Sequence, residues 1–418
     1  MNVLNIFFII CLFVTNIFSS LTPIAENEDG SGIALFSALS TILLCGIISG
    51  LNFNILIKNK ICIVFLALLA FICLSGLQYF ASIPLWDTLR GMVFPSNAIF
   101  IFLASYSLCK RSEKVSKFFF YSCLGILILN ICIFLILAQY NYTMFSRIRQ
   151  VKETYFFFLG FPFIFCFRNV ILKNMGILFF GLLVAISLKR GGIIAYLLSV
   201  SVYFFVKNVF IEKRNQALSI VLTPILLILG TIVIYQLLGD KVDLISERFE
   251  KIGEDRGSGR MDGWLYAIDL YLKANPLRQL FGLGYYEIRW YSMNIFALHN
   301  DFLEFLVDYG LVGFGLIMSI SYMFLRRAIE LVERNSYYAT SFCVMLSIYV
   351  VFMNVSVLFF FINYNFLFFA FLGYVYAMSD NEKLNGKLPR PSIPPMYLPR
   401  NNQFSYEKIE HHNSRIQF

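Results

Sequence analysis

Charged residues are scarce in this sequence. Asp, Glu, Lys and Arg make up 14% of its 418 residues, where a soluble domain carries about a quarter. That shortage, with 59% hydrophobic residues and a mean hydropathy of +0.72, excludes an ordinary soluble fold. Alternation of apolar and polar residues at a period of two is also missing, which excludes a membrane β-barrel. Histidine is rarer still: of three, His411 and His412 sit in a polar tail, leaving His299 alone among the apolar segments. The nine cysteines lie in or beside apolar runs and none falls in an outer loop. They read as small, polarisable packing residues rather than as a disulfide framework or a metal site.

What the sequence has in quantity is apolar runs of about 17–25 residues, the length that crosses a hydrocarbon core. Twelve spans are read, at about 3–20, 33–51, 61–80, 96–109, 118–138, 154–168, 174–188, 191–207, 217–238, 302–325, 337–353 and 355–378. The fold class is therefore an all-α polytopic membrane protein. Met1–Ser20 has no basic start and no small-residue cleavage site, so it reads as a first span rather than a signal peptide. Lysines and arginines crowd alternate loops: Lys58 and Lys60; Lys110, Arg111, Lys114 and Lys117; Arg168 and Lys173; Lys207, Lys213 and Arg214; Arg326, Arg327 and Arg334. Short basic loops stay in the cytoplasm, which puts both termini there. The net charge of +9 thus belongs to topology and does not point to nucleic acid.

The organisation that follows has four parts: an N-terminal bundle over 1–238, a large outer loop over 239–301, C-terminal spans over 302–378, and a proline-rich, disordered cytoplasmic tail over 379–418. No internal repeat is present. Within the loop, "GDKVDLISERFEKIG" and "DGWLYAIDLYLKANP" read as helices, the second with Asp262 near its start and Pro276 beyond its end. "LFGLGYYEI" reads as a glycine-punctuated turn or short strand.

Several cations stand on the side where the orientation rule expects few. Arg147, Arg149 and Lys152 occur in "MFSRIRQVKE", and Lys189 and Arg190 in "SLKRGG". The long loop adds Arg248, Arg256, Arg260, Arg278 and Arg289. Each is either solvated and paired with acids such as Glu247, Glu250, Glu254 and Asp255, or held for an anionic ligand. Arg190, at a helix edge without a neighbouring acid, and Arg260, after the glycines of "GSGR", suit the second role best. A guanidinium is planar, permanently charged and donates in pairs, which fits phosphate.

His299 opens "HNDFLEFLVDYGLVG". An imidazole with an ordinary pKa near 6.5 takes and gives a proton close to neutrality, although a lone histidine also serves as a structural residue. Asp301, Glu304 and Asp308 follow at helical spacing. They give the helix start a polar side suited to a hydrated cavity. Asp301 and Glu304 also have the D-x-x-E spacing of a capping box at that helix start.

These motifs, in this order, resemble the bacterial O-antigen polymerase and O-antigen ligase superfamily. His299-Asn300, nine residues, Gly310, two residues and Gly313 is similar to the superfamily's histidine signature, and "SLKRGG" to its arginine–glycine motif at an outer helix end. The likeness covers about 180–325 by motif and the rest by hydropathy. It implies a class C-like membrane glycosyltransferase of the bacterial inner membrane, without metal or cofactor, whose active site faces the periplasm. The donor would be an undecaprenyl-diphosphate-linked glycan. The acceptor would be a second glycan for a polymerase, or lipid A–core for a ligase. His299 would be the catalytic base, and Arg190 and Arg260 would hold the diphosphate. Arg147, Arg149, Arg256, Asn300 and Asp301 are further candidate contacts, and a chain-length regulator is a candidate partner. Polymerase is the preferred reading and ligase the alternative. A transporter of the lipid-linked unit fits less well, because the charges gather in one outer region rather than along a midplane.

Overall fold

The computed structural model describes residues 2–25, 32–79, 85–145, 154–187, 189–212, 260–285, 298–360 and 362–385. Every described element is helical. The helices are α1 (Asn2–Ala25), α2 (Gly32–Leu51), α3 (Lys60–Tyr79), α4 (Leu85–Arg111), α5 (Glu113–Phe145), α6 (Thr154–Phe158), α7 (Val170–Ser187), α8 (Arg190–Phe205), α9 (Arg260–Lys273), α10 (Pro276–Phe281), α11 (Asp301–Glu333), α12 (Ala339–Val355) and α13 (Ile362–Asn385). Six helical stretches are long and apolar enough to cross a membrane, and four more are shorter and apolar, among the described residues. The chain is a multi-pass membrane protein. The span expected at 217–238 and the first loop helix lie outside the described residues, as do Arg147, Arg149, Arg248, Arg256, Arg289 and the tail beyond Asn385.

α4 and α13 form the centre of the bundle. In the spanning part of α4, 83% of residues are buried, against 33% in that of α3. No hydrophobic force drives helices together in lipid, so close packing and interhelical hydrogen bonds must do so. Both occur here. Asn97 Nδ2 donates to Asn365 Oδ1 across the pair at 2.9 Å. At Gly373 a Cβ would stand 2.7 Å from the Phe102 carbonyl oxygen, so the backbones touch. α7 shows the opposite pattern, with Val170, Ile171, Leu172, Met175, Leu178, Phe179, Leu182 and Ile186 exposed, a face suited to acyl chains.

Two expectations change. The segment 154–168, read as one span, is the five-residue α6, a turn, and a 3₁₀ turn over Phe161–Cys166. Pro162 at the start of that turn has no N–H to extend a helix through. The expected tail boundary at Ser379 falls inside α13, which runs on to Asn385 because its end is anchored. Asp380 accepts from Arg327 Nη2 at 2.6 Å, Tyr106 Oη at 2.9 Å and Asn59 Nδ2 at 3.0 Å. Arg327 is 8% exposed and also donates to Ser379 Oγ at 2.6 Å and Glu330 Oε2 at 2.8 Å. Nearby, Tyr337 Oη donates to the Cys166 carbonyl at 2.7 Å. Loops that the sequence groups on one side of the membrane thus meet at one end of the bundle.

Removing one partner of a buried ion pair costs about 3–5 kcal/mol, whereas replacing both with apolar groups is often neutral. Asp380→Ala is therefore expected to lower the melting temperature of the detergent-purified protein by several degrees. The double variant Arg327→Met/Asp380→Leu should recover most of the loss. Differential scanning fluorimetry checks both.

Candidate active site at the opposite end

At the other end of the bundle, the turn before α11 carries His299 in a left-handed conformation, φ 52°. That region is uncommon for a residue other than glycine. It is held from both sides. Trp264 Nε1, from α9, donates to the Leu298 carbonyl at 2.7 Å, and Leu298 N donates to Glu304 Oε1 at 3.0 Å. Asn300 caps α11, its Oδ1 accepting from Leu303 N at 3.0 Å.

The cap expected from Asp301 and Glu304 is therefore displaced by one residue, and Asp301 does something else. Its side chain is fully buried, and Oδ2 accepts from Leu358 N at 2.7 Å and Phe359 N at 2.8 Å. These N–H groups belong to the turn between α12 and α13, where no helix supplies acceptors. Buried backbone donors need partners, and a carboxylate can take two. Its second oxygen, Oδ1, is enclosed without a hydrogen-bond partner among the described residues. Arg260, the first residue of α9, reaches the same region: Nη1 donates to the Val355 carbonyl at 2.8 Å. One short turn thereby fixes the Arg260 guanidinium relative to the His299 turn.

The two signature glycines have steric reasons. Gly310 breaks α11 at φ 66°, ψ −167°, a conformation open almost only to glycine. The break exposes the carbonyls of Val307 and Asp308, which accept from Leu283 N at 2.8 Å and Gly284 N at 3.3 Å. The glycine-punctuated segment after α10 is thus docked into α11. A Cβ on Gly310 would lie 2.4 Å from Gly282 N, and one on Gly282, at φ 101°, would lie 2.1 Å from the Asp308 carbonyl oxygen. At Gly313 a Cβ would fall 2.3 Å from that of Tyr309, whose hydroxyl donates to the Gly91 carbonyl at 2.7 Å.

The "KRGG" stretch starts α8, with Lys189 as its N-cap residue. Of Arg190 the described part is the backbone, at the first position of the helix. Its two glycines allow close contact with α6: Cβ atoms there would stand 2.4 Å from Tyr155 Oη and 3.3 Å from Thr154 Cγ2. Tyr155 in turn meets Phe352 on α12, ring centroids 4.6 Å apart. α9 and α11 begin beside the end of α12, through Arg260 to Val355 and Asp301 to Leu358 and Phe359, and α8 begins against Tyr155, which packs on Phe352. Asp301 and Arg260 both bond to residues 355–359; His299 stands two residues before Asp301, and the Arg190 backbone precedes Gly191, which lies against Tyr155. Arg147, Arg149 and Arg256 lie outside the described residues. The carboxamide oxygen of Asn300 and one oxygen of Asp301 are engaged by backbone. Among the described residues, no three His, Cys, Asp or Glu side chains form a metal-ligand set. Tyr155, Trp264 and the 355–360 turn were not singled out by sequence. The scarce loop tryptophans, Trp264 and Trp290, and the paired glycines are the signals present in the sequence.

Gly310→Ala is expected to destabilise the protein by at least about 2 kcal/mol, combining backbone strain with overpacking. A Cβ on Gly315, five residues on, meets nothing within 4 Å, so Gly315→Ala should be neutral or slightly stabilising. Thermal melts of the two variants check the contrast.

Residues 175–318, which hold "KRGG", α9, α10, the His299 turn and the Gly310 break, match the family model described as O-antigen ligase. No curated protein matches the chain.

Proposed function

With its 175–318 segment belonging to the O-antigen ligase and polymerase superfamily, we propose that the chain is a membrane glycosyltransferase that polymerises lipid-linked polysaccharide repeat units at the periplasmic face. The observation that supports it most is the 355–359 turn, which ties Arg260 through Val355 and the His299 turn through Asp301. In this reading the donor is a glycan on undecaprenyl diphosphate, and the acceptor is a sugar hydroxyl of another glycan. His299 accepts the hydroxyl proton as the oxygen forms its bond to the donor's anomeric carbon. The bond from that carbon to the phosphate oxygen breaks, and the lipid diphosphate leaves with the electron pair. The anomeric configuration inverts, and the imidazolium later returns its proton to water. Negative charge builds on the leaving diphosphate, where Arg190 and Arg260 stabilise it. Arg147, Arg149 and Arg256 are further candidate contacts.

A second reading, transfer of the glycan to lipid A–core, is favoured by the His299-to-Gly313 spacing and by the description of the matched family. A general base contributes roughly 10²–10⁴-fold, so His299→Ala should cut transfer at least about a hundredfold while the protein still inserts. Arg260→Ala should impair donor use more than Arg260→Lys, because lysine keeps the charge and loses the paired donors. Both are read by transfer assays on purified protein with a lipid-diphosphate donor. Deleting the gene separates the two acceptors on a lipopolysaccharide gel. A core bearing one repeat unit is expected for a polymerase, and a bare core identifies a ligase.

A further inference from the structure

The sequence sets Lys189 beside Arg190, and only the arginine has a part in the reading above. The lysine has its own seat. Its Nζ stands 3.8 Å from the centroid of the Tyr155 ring. That ring is 5% exposed and edge-packed on Phe352, so it has little freedom to move. Its hydroxyl is pinned against Gly191, one residue beyond Arg190. Phe352 lies three residues before Val355, the residue whose carbonyl receives Arg260. Arg260 is also near enough to act electrostatically on the Tyr155 phenol. Two cations from separate helices, α8 and α9, therefore approach the same end of α12.

Arg260 donates to a backbone carbonyl there and keeps further N–H donors on its guanidinium. A polyanion can meet both cations at once. An ammonium seated on an aromatic face is held by its charge, and it carries three donors for oxygen acceptors. Guanidinium and ammonium groups brought toward one end of α12 suit the two phosphates of a diphosphate better than a single charge does.

We propose that Lys189 is a further ligand for the anionic end of the substrate, and that Tyr155 is the positioning residue that presents it. This rests on the reading of the site as a lipid-diphosphate–sugar transferase. The test uses the full chain in phosphatidylcholine vesicles with a lipid-diphosphate-linked glycan, measuring KM and kcat. Lys189→Gln should raise the donor KM roughly tenfold, the scale of one lost charged hydrogen bond, with kcat within about twofold. Tyr155→Leu, which removes the ring, should give the same rise, and the double variant should add nothing to it. Tyr155→Phe keeps the ring and should restore a KM close to that of the parent protein. An unchanged KM in Lys189→Gln overturns the proposal, as does an additive double variant. Should Tyr155→Leu fail to fold, Lys189→Gln and Tyr155→Phe still decide. Repeating the series with phosphatidylglycerol included identifies the source of the anion. An effect of Lys189→Gln confined to those anionic vesicles would mean that the lysine meets a membrane headgroup, against the proposal. His299→Ala serves as the control: full transfer there would overturn the transferase reading itself. An inactive His299→Ala with an unaffected Lys189→Gln removes only the role of the lysine.

Discussion

Two backbone N–H groups, those of Leu358 and Phe359, end on one oxygen of a fully buried carboxylate, and this meeting sets the positions at one end of the bundle. Asp301 sits at the start of α11 and the N–H groups follow α12, so the bond joins the histidine-bearing helix to the last pair of helices. Arg260 leans on the same turn through Val355, and Tyr155 packs on Phe352 within α12, three residues earlier. Without the carboxylate, two donors would be buried without acceptors in a membrane protein, where water offers little relief. Backbone chemistry thus joins the apolar core in scaffolding the site, where Phe305 packs on Phe359 and Phe360.

The two ends of the bundle use polar groups differently. At the Asp380 end, acids and bases neutralise each other: Arg327 meets Asp380 and Glu330, and Tyr106 and Asn59 complete the set. At the His299 end, Arg260 meets a backbone carbonyl, Lys189 meets an aromatic ring, and the carboxylates of Asp301 and Glu304 take backbone N–H groups. The first arrangement closes a structure. In the reading proposed above, the second serves an anionic substrate. Between the ends the chain is almost wholly apolar, and α4 and α13 hold it with one asparagine pair and a glycine contact.

The sequence shows the membrane class plainly, because apolar runs of spanning length need no tertiary knowledge. It also shows the helix beginning near Asp262, the turn at Gly282–Gly284 and the spacing from His299 to Gly313. What these spacings are for is hidden in it. Asp301 looked like a cap for its own helix because D-x-x-E is a local pattern, yet its partners lie 57 and 58 residues away. Gly310 stands out in the sequence by its spacing from His299, while its physical reason, the close approach of Gly282, does not. The break at 159–160 was hidden by uniform hydropathy, since "TYFFFLGFPFIFCF" is apolar whether it forms one helix or two pieces. Periodicity reports which face is buried; it does not report which distant strip of backbone needs an acceptor.

The turn held by Asp301 comes late in the chain, after α12 and before α13. It lies beyond the 175–318 segment that carries the histidine and the glycines. A polypeptide emerging from the ribosome therefore completes its histidine, its arginines and its docked loop well before it completes their common support. Until the final hairpin of helices enters the bilayer, Arg260 lacks its Val355 carbonyl and Asp301 lacks its two N–H partners. The placing of Arg260 and Asp301 is thereby tied to helices made after them.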